Sequence, residues 1–196
     1  MTVAVIDTGV ANLHSVTSAL ARLGADCRVI ASPSELGSAD RAILPGVGSA
    51  PAGMASLRAR GFLEPLADFD RPLLGICLGM QMMFETLDEG SLTKGLGLFG
   101  GTVSKLANPA GPLPHMGWNQ LAFTSPDPFL DGVADGSHVY FVHSFAAPEL
   151  GHTLATATYG ERFTAIIRDG NRIGCQFHPE RSGAVGHALL RNFLEL

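Results

Sequence analysis

Four short apolar runs, three of them leading through turn residues into a helix-like stretch, constrain this chain more than its composition does. Val3 to Ile6 ends at Asp7-Thr8-Gly9, and Leu13, Val16, Ala19, Leu20 and Leu23 follow at helical spacing before Gly24. Cys27 to Ile30 is a second strand. Ala42 to Leu44 ends at Pro45-Gly46-Val47-Gly48 and precedes a helix over about Ala52 to Arg60, and Leu73 to Ile76 runs into a helix expected from Leu78 to Glu85. Strands that alternate with helices need right-handed crossovers, so these runs predict a parallel sheet.

After Gly95 the texture changes. Thr102 to Leu106, Trp118 to Phe123, His138 to Phe145, Thr153 to Tyr159, Phe163 to Ile167 and Ile173 to Phe177 are strand-like, and helix returns only at Ala184 to Leu194. Asp169-Gly170-Asn171 between two of these runs signals a hairpin, so antiparallel strands extend the parallel sheet. The expectation is one α/β domain over residues 1–196: three layers, with a mixed, mostly parallel central sheet flanked by helices, in the manner of flavodoxin-like folds. With 196 residues and 46% of them hydrophobic, the chain has material for a real core without disulfide or metal support.

The same numbers exclude partners. The net charge of −5 comes with no basic run or aromatic-basic stripe, which argues against nucleic acid. No stretch approaches a membrane span, and the opening Met1 to Asp7 has no cationic segment ahead of its apolar residues. Cys27, Cys77 and Cys175 form no paired motif. These features together predict a cytoplasmic protein.

Cys77 is set apart from the other two by its neighbours. In Gly75-Ile76-Cys77-Leu78-Gly79-Met80-Gln81 a strand enters a helix through a cysteine flanked by glycines, which lifts a nucleophile clear of the sheet at its carboxyl edge. The helix N-terminus there favours a thiolate and offers N–H groups to an oxyanion. Gln81 lies one helical turn on and projects to the same side. Cys27 and Cys175 sit in ordinary strands and read as structural thiols. A thiolate nucleophile wants a base and an orienting acid, and His178-Pro179-Glu180 supplies both two residues apart in an extended segment. A metal site built from Cys77, His178 and Glu180 lacks a fourth ligand at motif spacing, so neither metal nor cofactor is expected.

The elbow Gly-x-Cys-x-Gly-x-Gln with a late His-Pro-Glu resembles the class I, triad-type glutamine amidotransferases. Pro45-Gly46-Val47-Gly48, Leu78 to Gln81, Pro114-His115-Met116-Gly117-Trp118-Asn119 and Tyr140-Phe141-Val142-His143-Ser144-Phe145 narrow the likeness. Together they resemble the glutaminase subunits of imidazole glycerol phosphate synthases, from Val3 to the last helix. The opening Asp7 to Leu13 departs from that pattern with Thr8 for an aromatic residue and Ala11 for a glycine, and Arg181 stands where a lysine is common.

The resemblance implies that Cys77 attacks the side-chain amide of L-glutamine, His178 moves the proton and Glu180 orients the imidazole. It assigns the oxyanion to N–H groups of Leu78 and of the Val47-Gly48 loop, and the glutamine head group to Gln81, Glu89 and the segment His143, Ser144, Phe145. It places His115, Met116, Trp118, Tyr140 and Arg181 on a face that docks a (β/α)₈-barrel cyclase, which would use the ammonia with PRFAR to make imidazole glycerol phosphate and AICAR. No Walker-type glycine loop is present, in keeping with a second substrate held by that partner. The alternatives are an amidotransferase subunit of another pathway, such as folate or tryptophan biosynthesis, and a non-catalytic module on the same fold.

Overall fold

Alternation within β1 (Thr2–Ile6) sends Val3 and Val5 to one side of a sheet and Ala4 and Ile6 to the other, and all four are buried. A strand buried on both faces needs a covering layer on each, and the chain supplies them in turn. The computed structural model describes residues 1–9 and 12–196. β1 leads through α1 (Leu13–Arg22) to β2 (Asp26–Ile30), and β3 (Arg41–Gly46) leads through α2 (Ala50–Ala59) and α3 (Leu63–Ala67) to β4 (Leu73–Cys77). The short α4 (Leu78–Met82) follows without a loop. β5 (Phe84–Asp88), β6 (Leu92–Lys94), β7 (Phe99–Lys105), β8 (His115–Gln120), β9 (Ala122–Phe123), β10 (His138–His143) and β11 (Phe145–Ala146) come next. β12 (Thr153–Tyr159), β13 (Glu161–Asp169), β14 (Arg172–Cys175) and α5 (Gly183–Glu195) complete the chain.

The main sheet has the order β2-β1-β3-β4-β14-β13-β12-β9. Pairing is parallel from β2 across to β14 and antiparallel from β14 to β9, which is the mixed sheet expected from the change of texture. The hairpin at Gly170 joins β13 to β14 as its turn residues predict. One core packs Val16 and Leu20 of α1 and Leu189 and Phe193 of α5 on one face. The other packs Met54 and Leu57 of α2, Leu66 of α3 and Met80 of α4 on the opposite face.

Three readings of the sequence need correction. The helix expected to run to Glu85 stops at Met82, and Phe84 begins β5 instead. Two good helix formers, Met82 and Met83, give no local stop signal. Pairing of β5 with both β6 and β7 overrides propensity there and buries Phe84 against Phe99. The runs Trp118 to Phe123 and His138 to Phe145 are each cut, at Leu121 and Ser144, and their halves join different sheets. β8 and β10 thereby become a separate two-stranded ribbon beside the carboxyl edge of the main sheet. The short helix α3 and a 3₁₀ turn at Pro33–Ser38, anchored by buried Leu66 and Leu36, fall where no helix was expected.

The first loop is tied to α2 as far as Gly9. Asp7 accepts from the Gly9 N–H at 2.8 Å and pairs with Arg60 at 3.3 Å, and the Ser56 hydroxyl donates to the Thr8 carbonyl at 2.7 Å. Thr8, standing for an aromatic residue, is fully buried. The departure at Ala11, with Val10 beside it, lies outside the described residues.

Candidate active site

Among the described residues, Cys77 is the only one besides glycine with positive φ, at 53°. An L residue resists that conformation, so the surroundings must hold it there. They do so by close approach: a Cβ on Gly79 would run into the carbonyl oxygen of Leu44, so only glycine lets α4 sit this tightly on β3. The elbow predicted from glycine spacing is therefore present, with Cys77 at the N-cap of α4.

His178 is delivered from the far side by the turn after β14. Its N–H donates to the Tyr140 carbonyl at 2.9 Å, and the Ser182 hydroxyl donates to its carbonyl at 2.7 Å while accepting the Tyr140 N–H at 3.0 Å. Gly186 completes the mounting, because a side chain there would collide with the Pro179 carbonyl and push α5 away from the turn. His178 Nδ1 lies 2.8 Å from Glu180 Oε1, and both side chains are almost wholly buried. His178 Nε2 is also buried and has no protein partner at ordinary hydrogen-bond length, which leaves it turned to the nucleophile's side of the ring. Burial alone would lower the affinity of this imidazole for a proton. The interaction with Cys77 and the hydrogen bond and charge of Glu180 outweigh it and hold the pKa up at about 10.

A cavity of about 230 Å³ opens beside Cys77 and is lined by Val47, Gly48, Leu78, Gln81, Glu89 and residues 142–145. Every residue that the family resemblance assigned to the oxyanion or to the glutamine head group is in that lining. Gly48 has φ of +97°, and Glu89 accepts from the N–H of Ala50 at 3.0 Å, so the loop after β3 is pinned at its far end. Gln81 Nε2 donates to the Phe145 carbonyl at 2.9 Å and to Gln176 Oε1 at 3.0 Å.

The ribbon sorts the remaining predicted residues by parity. Met116 and Trp118 point outward and are 63% and 57% exposed, and Trp118 meets Tyr140 directly across the ribbon. The Arg181 guanidinium lies over the Tyr140 ring at 5.2 Å. His115, expected on the same face, is turned inward with 4% exposure and stacks on Tyr159 and Phe141. The period-two pleat separates His115 from Met116, so it is corrected from a surface contact to a buried one. There His115 Nδ1 meets His143 Nε2 at 2.9 Å. Burial lowers the pKa of both, that of His143 to about 4.

Two polar contacts to the nucleophile were not singled out from sequence. The Cys77 thiol reaches the Val142 carbonyl at 3.8 Å, and Gln176 Nε2 donates to Cys77 Sγ at 3.8 Å. The extended segment expected for His178 and Glu180 is corrected here: β14 ends at Cys175, residues 176 and 177 bend, and Pro179–Arg181 form a 3₁₀ turn, which brings Glu180 back onto the His178 ring where strand alternation would not. Cys175 is fully buried and Cys27 partly so, both with the thiol pushed up by burial, in keeping with structural roles.

Comparison with known proteins agrees with this geometry. The family model for "Glutamine amidotransferase class-I" matches residues 4–196. The chain is 49% identical to "Imidazole glycerol phosphate synthase subunit HisH" of Xanthomonas axonopodis pv. citri (strain 306), over 99% of this chain and 97% of the relative. The same identity and coverage hold for the protein so named from Xylella fastidiosa (strain Temecula1 / ATCC 700964). Among solved structures, one described as a glutamine amidotransferase is similar with a TM-score of 0.77 at 22% identity, covering 98% of this chain and 97% of that one. A glutamine amidotransferase from Thermotoga maritima is similar with a TM-score of 0.65 at 19% identity, covering 100% of this chain and 81% of that one. At those identities the likeness speaks for the fold alone.

Proposed function

This chain belongs to the class-I glutamine amidotransferases, and from that premise we infer that it is the glutaminase subunit of an imidazole glycerol phosphate synthase, acting in histidine biosynthesis. The observation that carries this reading is the near full-length identity to relatives of that name together with a buried His178–Glu180 pair beside a strained Cys77. Residues 1–196 act as one catalytic domain, a reading supported by two cores that share one sheet.

L-Glutamine enters the cavity with its side-chain amide at Cys77. The thiolate attacks the amide carbon, and the tetrahedral oxyanion is held by the Leu78 N–H at the start of α4 and by an N–H of the Val47-Gly48 loop. His178, charged at neutral pH, gives its Nε2 proton to the departing nitrogen, the C–N bond breaks, and ammonia leaves a γ-glutamyl thioester on Cys77. The now neutral His178 takes a proton from water, which attacks the thioester and releases L-glutamate. Glu180 holds the ring in register for both steps. Gln81, Glu89 and the chain at His143, Ser144 and Phe145 receive the amino-acid head group. Both Nε2 protons of Gln81 are already spent, which leaves Oε1 to accept from the substrate ammonium.

The ammonia passes to a separate (β/α)₈-barrel cyclase that converts PRFAR to imidazole glycerol phosphate and AICAR. Met116, Trp118, Tyr140 and Arg181 form the docking face, and their type and exposure suit an interface centre. Among the described residues no helix is long and apolar enough to cross a membrane, and the three cysteines are free, which suits a cytoplasmic enzyme.

The test is Cys77→Ala. It should reduce glutamine hydrolysis at least about 10⁴-fold, while the complex with the cyclase still makes product from added ammonium salt. Glutaminase activity retained in the variant would remove Cys77 from its role.

A further inference from the structure

Gln176 is fully buried behind the nucleophile, and its neighbours leave its amide only one orientation. The Phe145 carbonyl only accepts, so Gln81 Nε2 and His143 Nδ1, both 2.9 Å from it, must donate. Gln81 then donates its second proton to Gln176 Oε1, and this turns Gln176 Nε2 toward Cys77 Sγ as a donor.

The other branch from Phe145 is equally determined. A neutral His143 that donates from Nδ1 accepts at Nε2, so His115 Nδ1 carries a proton and His115 Nε2 accepts from Asn119 Nδ2 at 3.2 Å. The Asn119 amide is independently fixed, because its Nδ2 donates to the Thr158 carbonyl and its Oδ1 accepts the Gln120 N–H, both at 2.8 Å. The two ends assign the same tautomers. A proton added to either histidine would set a donor against a donor, and both histidines have lowered pKa values.

We propose that Gln176 is a further catalytic residue, supporting the Cys77 thiolate by a hydrogen bond from its amide, and that Asn119, His115 and His143 are positioning residues that aim it through the Phe145 carbonyl and Gln81. This rests on Cys77 being the glutaminase nucleophile. The titratable groups around the sulfur are His178, from the turn after β14 and backed by Glu180, and His143 of β10 and Glu89, which line the same cavity as Cys77. His178 pairs with the thiolate through a proton that later goes to the departing nitrogen, whereas Gln176 supplies one that never transfers. A donor of that kind favours the thiolate without competing for the leaving nitrogen.

The experiment is alkylation of the full-length chain by iodoacetamide across pH, with Cys77 followed by peptide mass spectrometry and folding checked by circular dichroism. Gln176→Glu keeps the shape and the acceptor for Gln81 but sets an oxygen against the sulfur. The midpoint of the Cys77 profile should rise by about one pH unit or more, the scale of one hydrogen bond to a charged group. His115→Phe keeps the stacking on Tyr159 and Phe141, removes the donor to His143 and should raise the midpoint by less, with His115→Asn restoring it. If Gln176→Glu fails to fold, the His115 pair decides alone. A wild-type midpoint in folded Gln176→Glu or, failing that, in His115→Phe overturns the inference. Loss of glutamine hydrolysis in Cys77→Ala beside that result would leave the nucleophile assignment standing, whereas retained hydrolysis would overturn the reading beneath it.

Discussion

Two histidine-containing pairs lie near Cys77, His178–Glu180 in interaction with its thiol and His115–His143 with His143 in the wall of the cavity beside it, and they are electrostatic opposites. His178 and His143 are both buried, 6% and 5% exposed, yet one has its pKa held at about 10 and the other at about 4. Burial disfavours the charged ring in both cases, so burial does not separate them. Their partners do. His178 faces a carboxylate and a thiol, groups that accept a proton or carry negative charge, whereas His143 has only neutral partners, donating to the Phe145 carbonyl and accepting the N–H of a second histidine. In the mechanism proposed above, this puts positive charge where a leaving group needs a proton and none on the histidine beside the proposed head-group site. The polarity of the neighbour sets the charge of each ring, and the two histidines are close enough for the charge of His178 to act on His143.

The comparison breaks most directly by making the first pair resemble the second. Glu180→Gln keeps an acceptor for His178 Nδ1 but removes the charge, so the pKa of His178 should fall from about 10 toward its ordinary value. Glutamine hydrolysis should drop about 10²- to 10⁴-fold, the range seen when a triad acid loses its charge. The pH–rate profile of kcat/KM and the rate of Cys77 alkylation at neutral pH both report it. Wild-type turnover in Glu180→Gln would mean that hydrogen bonding alone holds the imidazole.

The two pairs also differ in how far sequence reveals them. Cys77, His178 and Glu180 are legible because local rules single them out: glycines at a strand-to-helix elbow, and a histidine and a carboxylate two residues apart, although a 3₁₀ turn at Pro179–Arg181 and not an extended segment joins that second pair. Gln176 lies two residues before His178, but its contact with Cys77 spans 99 residues and exists only because β14 pairs in parallel with β4. The inward turn of His115 was readable in principle from parity within Met116-Gly117-Trp118. What could not be read was that β8 and β9 split at Leu121 into two sheets, since nothing local in that run signals a change of partner. The early end of α4 is of the same kind, decided by strand pairing that no propensity encodes.

The second pair can be exposed through stability. The lowered pKa of His143 means that the unfolded chain binds more protons there, so its contribution to stability is present above about pH 6.5 and is lost as pH falls toward about 4. A shift of that size corresponds to about 3 kcal/mol. His178 adds no slope in this window, because with a folded pKa of about 10 it is protonated in both states below about pH 6.5. Its own stabilisation is full there and fades as pH rises to about 10. Urea unfolding of the free subunit should therefore show a midpoint that falls between pH 6.5 and 4, and His143→Gln should flatten that fall. An identical acid slope in the variant would assign the loss to other groups.

The smallest expected effect separates the inner and outer faces of the ribbon that carries the second pair. Trp118 and His115 lie on one strand three residues apart, but Trp118 is 57% exposed and His115 is 4% exposed. An exposed tryptophan in edge contact with Tyr140 contributes little to the free subunit, so Trp118→Ala should leave its far-ultraviolet circular dichroism and its urea midpoint unchanged. The proposed docking face puts the same residue with Met116, Tyr140 and Arg181, where truncation of an aromatic anchor should cost about 2 kcal/mol, or about 30-fold in affinity. Weakened association with the cyclase, or glutamine hydrolysis uncoupled from imidazole glycerol phosphate formation, is the expected result. On that proposal, enclosure at the face would keep ammonia from protonating or escaping. His115→Phe, on the inner face, should bind the cyclase with wild-type affinity while shifting the Cys77 alkylation profile. If Trp118→Ala instead unfolds the free subunit, or binds and transfers ammonia at the wild-type ratio, the outward face of the ribbon is not where the partner sits.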